Sequence, residues 1–324
     1  MKSFDVVSVG VVGWEVELLV PAMPDAAGSA PVRGRRGMPG GAGANVAVAA
    51  ARRGASVALI GVIGQDAAGT DLCLRLAAEE IDIRSLVRRP DMATPLLLSL
   101  VDDTSSVRYL EHLPEQAQLT VSDMPGAAAA FAHARVVVIS MAGPAAMAVV
   151  VARAARDGGA KVIIDGAPDD PRCLAALLAL TDVVRADAED MATLVGYPVR
   201  VAAEAVIAAR ALLMCGPSLA AITLSDGSTV LAWADGTISI SAGARQGLVS
   251  TEVGAGFIAG LAVALSREIA RDQVGRHASR PAAATTVADP GRPAGGSDAV
   301  EQVLNLLGIE PGWPEETPRI SQPR

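Results

Sequence analysis

The chain has 324 residues, of which 51% are hydrophobic and only 2% aromatic, and it carries a formal net charge of −8 with a pI near 5.0. This acidic balance, without a basic stripe interleaved with aromatic residues, argues against a nucleic-acid-binding surface. Three widely separated cysteines without metal-type spacing indicate neither a disulfide framework nor a zinc site, and they favour a reduced, cytoplasmic protein.

The first predicted element is a β-strand over residues 4–12, a nearly continuous apolar run typical of a strand covered on both faces. Asp5 within this run favours a buried strand over a signal peptide. Residues 14–36 contain three prolines and predict short strands or a flap. The longest uncharged run, at residues 136–152, is interrupted by a glycine and a proline, so we expect no membrane span.

Strands and helices then alternate along the chain. Further strands are predicted at 57–60, 96–101, 107–111, 136–140, 161–165, 183–185, 220–224, 229–233 and 237–241. Helices are predicted at 46–53, 70–80, 144–157, 173–180, 189–195, 201–215 and 254–271. This alternation predicts an α/β fold with a doubly wound, mostly parallel sheet flanked by helices, which binds ligands at the carboxyl ends of its strands.

The C-terminal part changes character. Residues 276–298 are rich in Ala, Pro, Gly and Arg without apolar periodicity, which predicts a loop or a partly disordered insert. Residues 299–307 predict a short closing helix, and residues 311–324 a proline-rich tail. We therefore expect a single domain over residues 1–310.

Two glycine-rich blocks carry a specific pattern. Residues 40–45 read Gly-Gly-x-Gly-x-Asn and run into an alanine-rich helix. Gly61, Gly64, Asp66 and Gly69 follow with the spacing GxxGxDxxG. A pattern of some thirty residues in a defined strand and helix context is far more specific than a lone glycine motif.

Together with a hairpin predicted at 96–111 and a Gly-Ala-Gly turn at 254–256, these blocks resemble the PfkB family of carbohydrate and nucleoside kinases, which have a ribokinase-like fold. The resemblance implies ATP-dependent phosphorylation of a sugar or nucleoside hydroxyl, with Mg²⁺ as the metal. It also implies a small β-sheet lid formed by about residues 14–38 and 94–113. A homodimer joined through the lid is a further expectation, because a small exposed sheet leaves edges to cover.

On the acceptor side, the resemblance assigns substrate binding to Glu15, Gly40, Gly41 and Asn45. Glu15 stands roughly where the family has a sugar-binding Asp, and the other three match the GGxGxN block. The alternatives are that Glu15 is a solvated flap residue and that Asn45 is an ordinary helix cap.

On the nucleotide side, the resemblance assigns Asp187, Thr223 and Ser225 to nucleotide binding and Asp190 to the metal, held through water. The family patterns here are NxxE and TLG, and both matches are imperfect. An acidic helix N-terminus favoured by the helix dipole is the alternative for the two aspartates.

Gly254, Ala255 and Gly256 are predicted to start a helix, where their backbone N–H groups would form an anion hole for phosphate. Close packing of Gly256 and Gly260 against a neighbouring backbone is the alternative reading.

The chain departs from the family where the catalytic base is expected. The family motif continues GAGDAF, whereas Gly256 is followed directly by Phe257. Loss of a general base is usually worth about two to four powers of ten in rate. Glu252 is the nearest replacement carboxylate.

Three functions remain open from the sequence. The first is a kinase of weak or altered activity in which Glu252 or a neighbouring acid replaces the missing Asp. The second is a catalytically inactive pseudokinase that binds a sugar-like ligand or a partner protein. The third is a different enzyme that reuses the same pocket.

Overall fold

The structure is a computed structural model, and it describes residues 2–241 and 250–279, with the side chains of the second range from Gly254 onward. These residues lie within one compact unit, Met1–Thr285. The predicted closing helix and tail, and residues 280–298 of the predicted insert, lie outside the described residues.

A large sheet of nine strands dominates the described part of the chain. Its strands are β1 (Phe4–Val9), β4 (Val57–Gly64), β5 (Leu86–Arg89), β8 (Ala134–Ser140), β9 (Lys161–Asp165), β10 (Val183–Asp187), β11 (Leu219–Thr223), β12 (Thr229–Trp233) and β13 (Gly236–Ile240). Their spatial order is β13-β12-β11-β10-β9-β8-β1-β4-β5. β12 pairs antiparallel with both β11 and β13, and the other pairings are parallel.

The central strands consist largely of valine and isoleucine because helices cover both of their faces. Val6 of β1 pairs with Val57 on one side and Val136 on the other, and all three side chains are at most 2% exposed. β-Branched side chains pack well on such a doubly covered sheet.

A second, smaller sheet carries the hairpin. Its strands are β2 (Gly13–Leu19), β3 (Gly34–Gly40), β6 (Leu96–Val101) and β7 (Val107–His112), in the order β3-β2-β6-β7. We call this four-stranded unit the small sheet.

Helices pack on the two faces of the large sheet. They are α1 (Ala42–Ala51), α2 (Ala67–Ala78), α3 (Met124–His133), α4 (Ala145–Asp157), α5 (Leu174–Leu180), α6 (Met191–Val195), α7 (Ala202–Leu213), α8 (Ser250–Ser266) and α9 (Arg271–Ala278). The predicted α/β fold, with a mostly parallel sheet flanked by helices and a second small sheet, is confirmed.

The last described helices correct the sequence prediction. One helix was expected over residues 254–271, but α8 begins at Ser250 and ends at Ser266, and α9 is separate. α9 takes up the first residues of the segment predicted as a loop. The two helices meet where Gly260 faces Ala278, at a distance that leaves no room for a Cβ.

Two further elements, α3 and β5, lie where the sequence predicts neither a helix nor a strand. α3 is alanine-rich and buries Ala127, Ala130 and Phe131, but its short apolar side chains give little amphipathic contrast. β5 is a four-residue edge strand with two arginines, too short and too polar for a strand pattern.

Candidate active site

The predicted acceptor residues meet at the junction of the small sheet and α1. Glu15 lies on β2, and a Cβ built on Gly40 would lie 2.7 Å from its Oε2. Ser99 of β6 donates a hydrogen bond of 3.2 Å from its hydroxyl to Oε1 of Glu15. Only a glycine at position 40 therefore lets the β3 backbone lie against this carboxylate.

Gly41 and Asn45 belong to the start of α1. Gly41 is the N-cap, and its φ of 87° favours glycine. A Cβ there would also lie 2.5 Å from the carbonyl oxygen of Val11, which follows β1. Asn45 is half-buried one turn into the helix, so it is not the N-cap residue. The structure thus brings Glu15, Gly40, Gly41 and Asn45 to one end of the β1–α1 connection.

The second glycine block fixes the small sheet to the large one. Asp66 is the N-cap of α2, and its carboxylate accepts hydrogen bonds from the backbone N–H groups of Gly69 and Thr94, both at 2.8 Å. The hydroxyl of Thr94, just before β6, also donates to Asp66. Burial alone would raise the pKa of Asp66, but these hydrogen bonds hold it below its ordinary value.

The predicted nucleotide residues lie at the carboxyl ends of two neighbouring strands. Asp187 ends β10 and pairs in register with Thr223, which ends β11. Ser225 lies two residues further, on an exposed turn. Asp187 and Thr223 are therefore direct neighbours, and Ser225 stands beyond them at the rim.

A buried arginine, which the sequence analysis did not single out, links these residues. Arg185 on β10 has an 8% exposed side chain, and its Nη1 donates to Asp165 at 3.0 Å and to Asp187 at 2.9 Å. Its Nη2 donates to Asp187 at 2.6 Å and to Thr223 at 3.3 Å. The sequence contains a pattern that indicates a buried arginine, because Arg185 directly follows the two valines of a buried strand.

The same arginine reaches α8. A Cβ built on Gly254 would lie 3.5 Å from Nη2 of Arg185, so the helix passes directly beside the guanidinium. Asp165, at the end of β9, is the carboxylate on the other side of Arg185, and the sequence analysis missed it as well. Burial raises the pKa of Asp165 to about 6, against the opposing effect of Arg185 and with help from Asp187 and Asp190.

Asp190 is engaged in a local capping interaction. Its Oδ2 accepts a hydrogen bond of 2.9 Å from the backbone N–H of Asp187, and the Asp187 side chain caps the backbone N–H of Asp190 in return. Burial raises the pKa of Asp190. Within residues 2–241 and 254–279, no group of three His, Cys, Asp or Glu side chains could hold a metal ion.

The Gly254–Gly256 turn does not start a helix, and this prediction is wrong. Because α8 begins at Ser250, Gly254, Ala255 and Gly256 lie inside the helix, where backbone N–H groups bond to carbonyls four residues earlier. The helix N–H groups without such partners precede Gly254. The predicted anion hole at these three residues required them to start a helix, and they do not.

The residue that directly follows Gly256 belongs to the core. Phe257 is 6% exposed and packs in α8. The backbone of Glu252 lies in the first turn of that helix, but its side chain is outside the described residues.

Two cavities lie outside this constellation. A cavity of about 70 Å³ at the carboxyl ends of β1 and β8 is lined in part by Gly10, Ser140 and Pro144, and it adjoins the GGxGxN block through Gly10. A cavity of about 440 Å³ is lined by Asp5, Arg135, Ser266, Arg267 and Glu268. It lies at the amino ends of β1 and β8, away from the residues described above.

No helix in the described ranges is long and apolar enough to cross a membrane. A sequence profile described as pfkB family carbohydrate kinase matches residues 5–291. That match covers most of the chain and includes Glu15, the GGxGxN block, Arg185 and Asp187.

Two individual relatives share limited sequence identity with this chain. The chain is 35% identical over 105 residues to an ATP-dependent ribose-1-phosphate kinase of Halopiger xanaduensis, an alignment that covers 32% of this chain and 36% of the relative. It is 28% identical over 245 residues to a ribokinase of Haemophilus influenzae, covering 75% of this chain and 79% of that protein. The chain thus spans little more than a third of the first relative.

Among solved structures, Arabidopsis thaliana ribokinase complexed with ribose and ATP matches with a TM-score of 0.68 at 19% identity. The superposition covers 85% of this chain and 89% of that one. At this identity the likeness shows a common ribokinase-like fold.

Proposed function

The chain belongs to the pfkB family of carbohydrate kinases, and on that premise we propose that it uses ATP to phosphorylate a hydroxyl group of a sugar or nucleoside. The observation that carries the proposal is the division of the site into two ends. Glu15 and the GGxGxN block lie at one end, and Arg185, Asp187 and Thr223 lie at the other, where the strands β10 and β11 finish.

The first end suits a polyol. The Glu15 carboxylate accepts hydrogen bonds, the Asn45 amide both donates and accepts them, and the glycines let a ligand approach the backbone closely. The small sheet carrying Glu15 would act as the lid that excludes water from the reacting hydroxyl.

The second end suits a nucleotide phosphate. The Thr223 hydroxyl is a neutral hydrogen-bonding group there, and the buried guanidinium of Arg185 offsets the negative charge of Asp165 and Asp187 beside it. Asp187 and Asp190 would hold Mg²⁺ through water and phosphate oxygens, since magnesium commonly binds one or two carboxylates rather than an all-protein cage. Bound Mg²⁺ neutralises charge on the transferring phosphoryl group.

The acceptor hydroxyl needs a base in place of the one missing at Phe257. Two carboxylates are candidates: Glu252, in the first turn of α8, and Asp165, whose pKa of about 6 suits a general base near neutral pH. Neither occupies the family position, so we expect turnover slower than that of an intact site by about two to four powers of ten.

The test is ADP formation by the full chain with ATP and Mg²⁺ against D-ribose, D-fructose, adenosine and cytidine. We expect slow, acceptor-dependent ADP release that falls further in Glu252→Gln or in Asp165→Asn. The unsubstituted protein without an acceptor sets the background. If none of the four acceptors raises ADP formation above that background, the kinase proposal fails.

A second candidate is a catalytically inactive member of the family that keeps the acceptor site for binding, and its motive is that Phe257 rather than a carboxylate follows Gly256. Calorimetry separates the two. Sugar or nucleoside binding without ATP binding would support the inactive protein, whereas binding of both supports the kinase.

We further propose a homodimer through the lid. β7 is an edge strand, and its Tyr109 and Leu110 side chains are 41% and 60% exposed. Light scattering should give twice the monomer mass, and Leu110→Glu should reduce it to that of the monomer. An unchanged mass in the variant would exclude this surface. The cytoplasmic location and the single domain over residues 1–310 stay predictions.

A further inference from the structure

The glutamates of the small sheet all lie on one of its two faces, together with Arg36. Alternate residues of a strand point to opposite faces, and a Cβ built on Gly37 would lie 2.7 Å from the Trp14 ring, which places these two on one face. Glu15 and Glu17 lie on the other face, together with Ser99. That second face, which we call the acidic face, is the one that adjoins Gly40 of the GGxGxN block.

Glu17 is the unusual member of the acidic face. Its side chain is only 9% exposed, and its Oε1 is buried without a hydrogen-bond partner. The cation opposite it on β3 is Arg36, whose Nη1 is 3.7 Å away and whose side chain is 70% exposed. At that distance the contact is not a hydrogen bond.

Ser99 does not satisfy Glu17 either. It lies directly opposite Glu17 in the register between β2 and β6, but its hydroxyl donates to Glu15. A serine hydroxyl has a single proton to donate. A buried carboxylate oxygen without a hydrogen-bond donor lowers the stability of the fold. Such an oxygen indicates that its hydrogen-bond donor comes from a ligand rather than from the surrounding side chains.

We propose that Glu17 is a second acceptor-binding carboxylate, which with Glu15 lets the acidic face hold an acceptor through its hydrogen-bond donors. This inference rests on the proposed function, and it narrows the substrate class. Two carboxylates at alternate positions of one strand, roughly 7 Å apart, match donors on opposite ends of a sugar ring or chain. They favour a free polyol or an amino sugar, and the two carboxylates together outweigh the exposed Arg36 beside them and disfavour a phosphate or carboxylate at that end.

Sugar binding by calorimetry tests this with two matched pairs of probes, D-ribose with D-ribose 5-phosphate and D-glucose with D-glucosamine. The unsubstituted chain should bind ribose more tightly than its phosphate, and glucosamine more tightly than glucose. Glu17→Gln should weaken glucosamine binding about tenfold or more, because a charge-assisted hydrogen bond is lost. Both preferences should shrink in that variant.

The matched control is Glu80→Gln, which removes an exposed carboxylate outside the small sheet. It should bind all four sugars as the unsubstituted chain does. ATP binding should be unchanged in both variants.

Thermal unfolding without sugar separates a binding role from a structural one. If Glu17 serves a ligand, Glu17→Gln keeps or raises the melting temperature, because a buried charge without a hydrogen-bond donor disappears. If Glu17 serves only as the partner of Arg36, then Glu17→Gln and Arg36→Gln lower the melting temperature alike. That result would overturn the proposal.

Unaltered sugar binding by Glu17→Gln, or no binding of any probe by the unsubstituted chain, would also overturn it. Failure of the proposed function looks different. Sugar binding that depends on Glu17 without any ADP formation would contradict the kinase and leave the acceptor site standing. Acceptor-dependent ADP formation that Glu17→Gln does not change would support the kinase and contradict the role of Glu17 in acceptor binding.

Discussion

The guanidinium of Arg185 makes two hydrogen bonds to the carboxylate of Asp187, at 2.6 and 2.9 Å, from a position two residues earlier on the same strand. Both side chains lie on one face of β10, and Asp165 of β9 closes the group from the other side. Half of the Asp187 side chain stays exposed, whereas that of Arg185 is 8% exposed. The positive charge of Arg185 is thus held inside the sheet by two carboxylates.

Removing the arginine should destabilise the fold. Arg185→Met leaves Asp165 buried without its cation, and breaking a buried pair in this way costs about 3–5 kcal/mol. Urea unfolding of the variant measures the loss. Arg172→Met is the control, since Arg172 is 90% exposed and pairs with Asp170 at the surface, where little change is expected. Equal effects of the two substitutions would contradict the buried network.

Asp165 should make stability depend on pH between about 4 and 6. Its folded-state pKa of about 6 lies above the ordinary value of 3.8. The native state therefore binds more protons than the unfolded state in this window, and the contribution of Asp165 to stability falls as the pH rises through it, by roughly 2–3 kcal/mol. Unfolding of Asp165→Asn at pH 4, 5, 6 and 7 should lack this component. The same pH slope in both proteins would show that the group is ionised throughout.

Asp187 should support nucleotide binding through Mg²⁺. Asp187→Asn removes one of the two carboxylates proposed to hold the metal and leaves Arg185 paired with Asp165. We expect the affinity for ATP in the presence of Mg²⁺ to fall by about 1 kcal/mol, or about fivefold, as for two charges close together in a solvated site. Calorimetry with ATP and Mg²⁺ measures it. Glu189→Gln, an exposed neighbour in the same turn, should have little effect, and unchanged or tighter binding by Asp187→Asn would contradict the placement of the metal.

Two glycines of α8 should respond oppositely to alanine. At Gly254 the nearest atom to a Cβ is Nη2 of Arg185, at an ordinary 3.5 Å, so Gly254→Ala should stabilise the helix by about 0.5–1 kcal/mol. At Gly260 a Cβ would lie 2.5 Å from the Cα of Ala278, so Gly260→Ala should destabilise by about 1–3 kcal/mol. Thermal unfolding of both variants is the measurement. Destabilisation by Gly254→Ala would mean that position 254 lies in a turn rather than in a helix.

The strands were predictable where their residues are distinctive. β6, β9 and β12 have the predicted bounds, because β-branched and other apolar runs end there at polar or glycine-rich turns. α8 was misjudged for the opposite reason. Its glycines suggested a turn, but they lie within a helix. Gly260 packs against α9 with no room for a Cβ, and Gly254 passes beside the guanidinium of Arg185.

The sequence by itself determined the class of fold, since alternating apolar strands and helices leave few ways to bury their faces. It also determined where the backbone adopts conformations that require glycine. Only glycine tolerates the positive φ of Gly41 and the close approach of Gly40 to Glu15. The tertiary structure alone decided which charges meet. Arg185, Asp165 and Thr223 come from three strands, and Glu17 has a buried oxygen without a hydrogen bond because Arg36 of β3 is 3.7 Å away and Ser99 of β6 donates to Glu15. Such contacts depend on register between distant segments, which no local pattern of residues encodes.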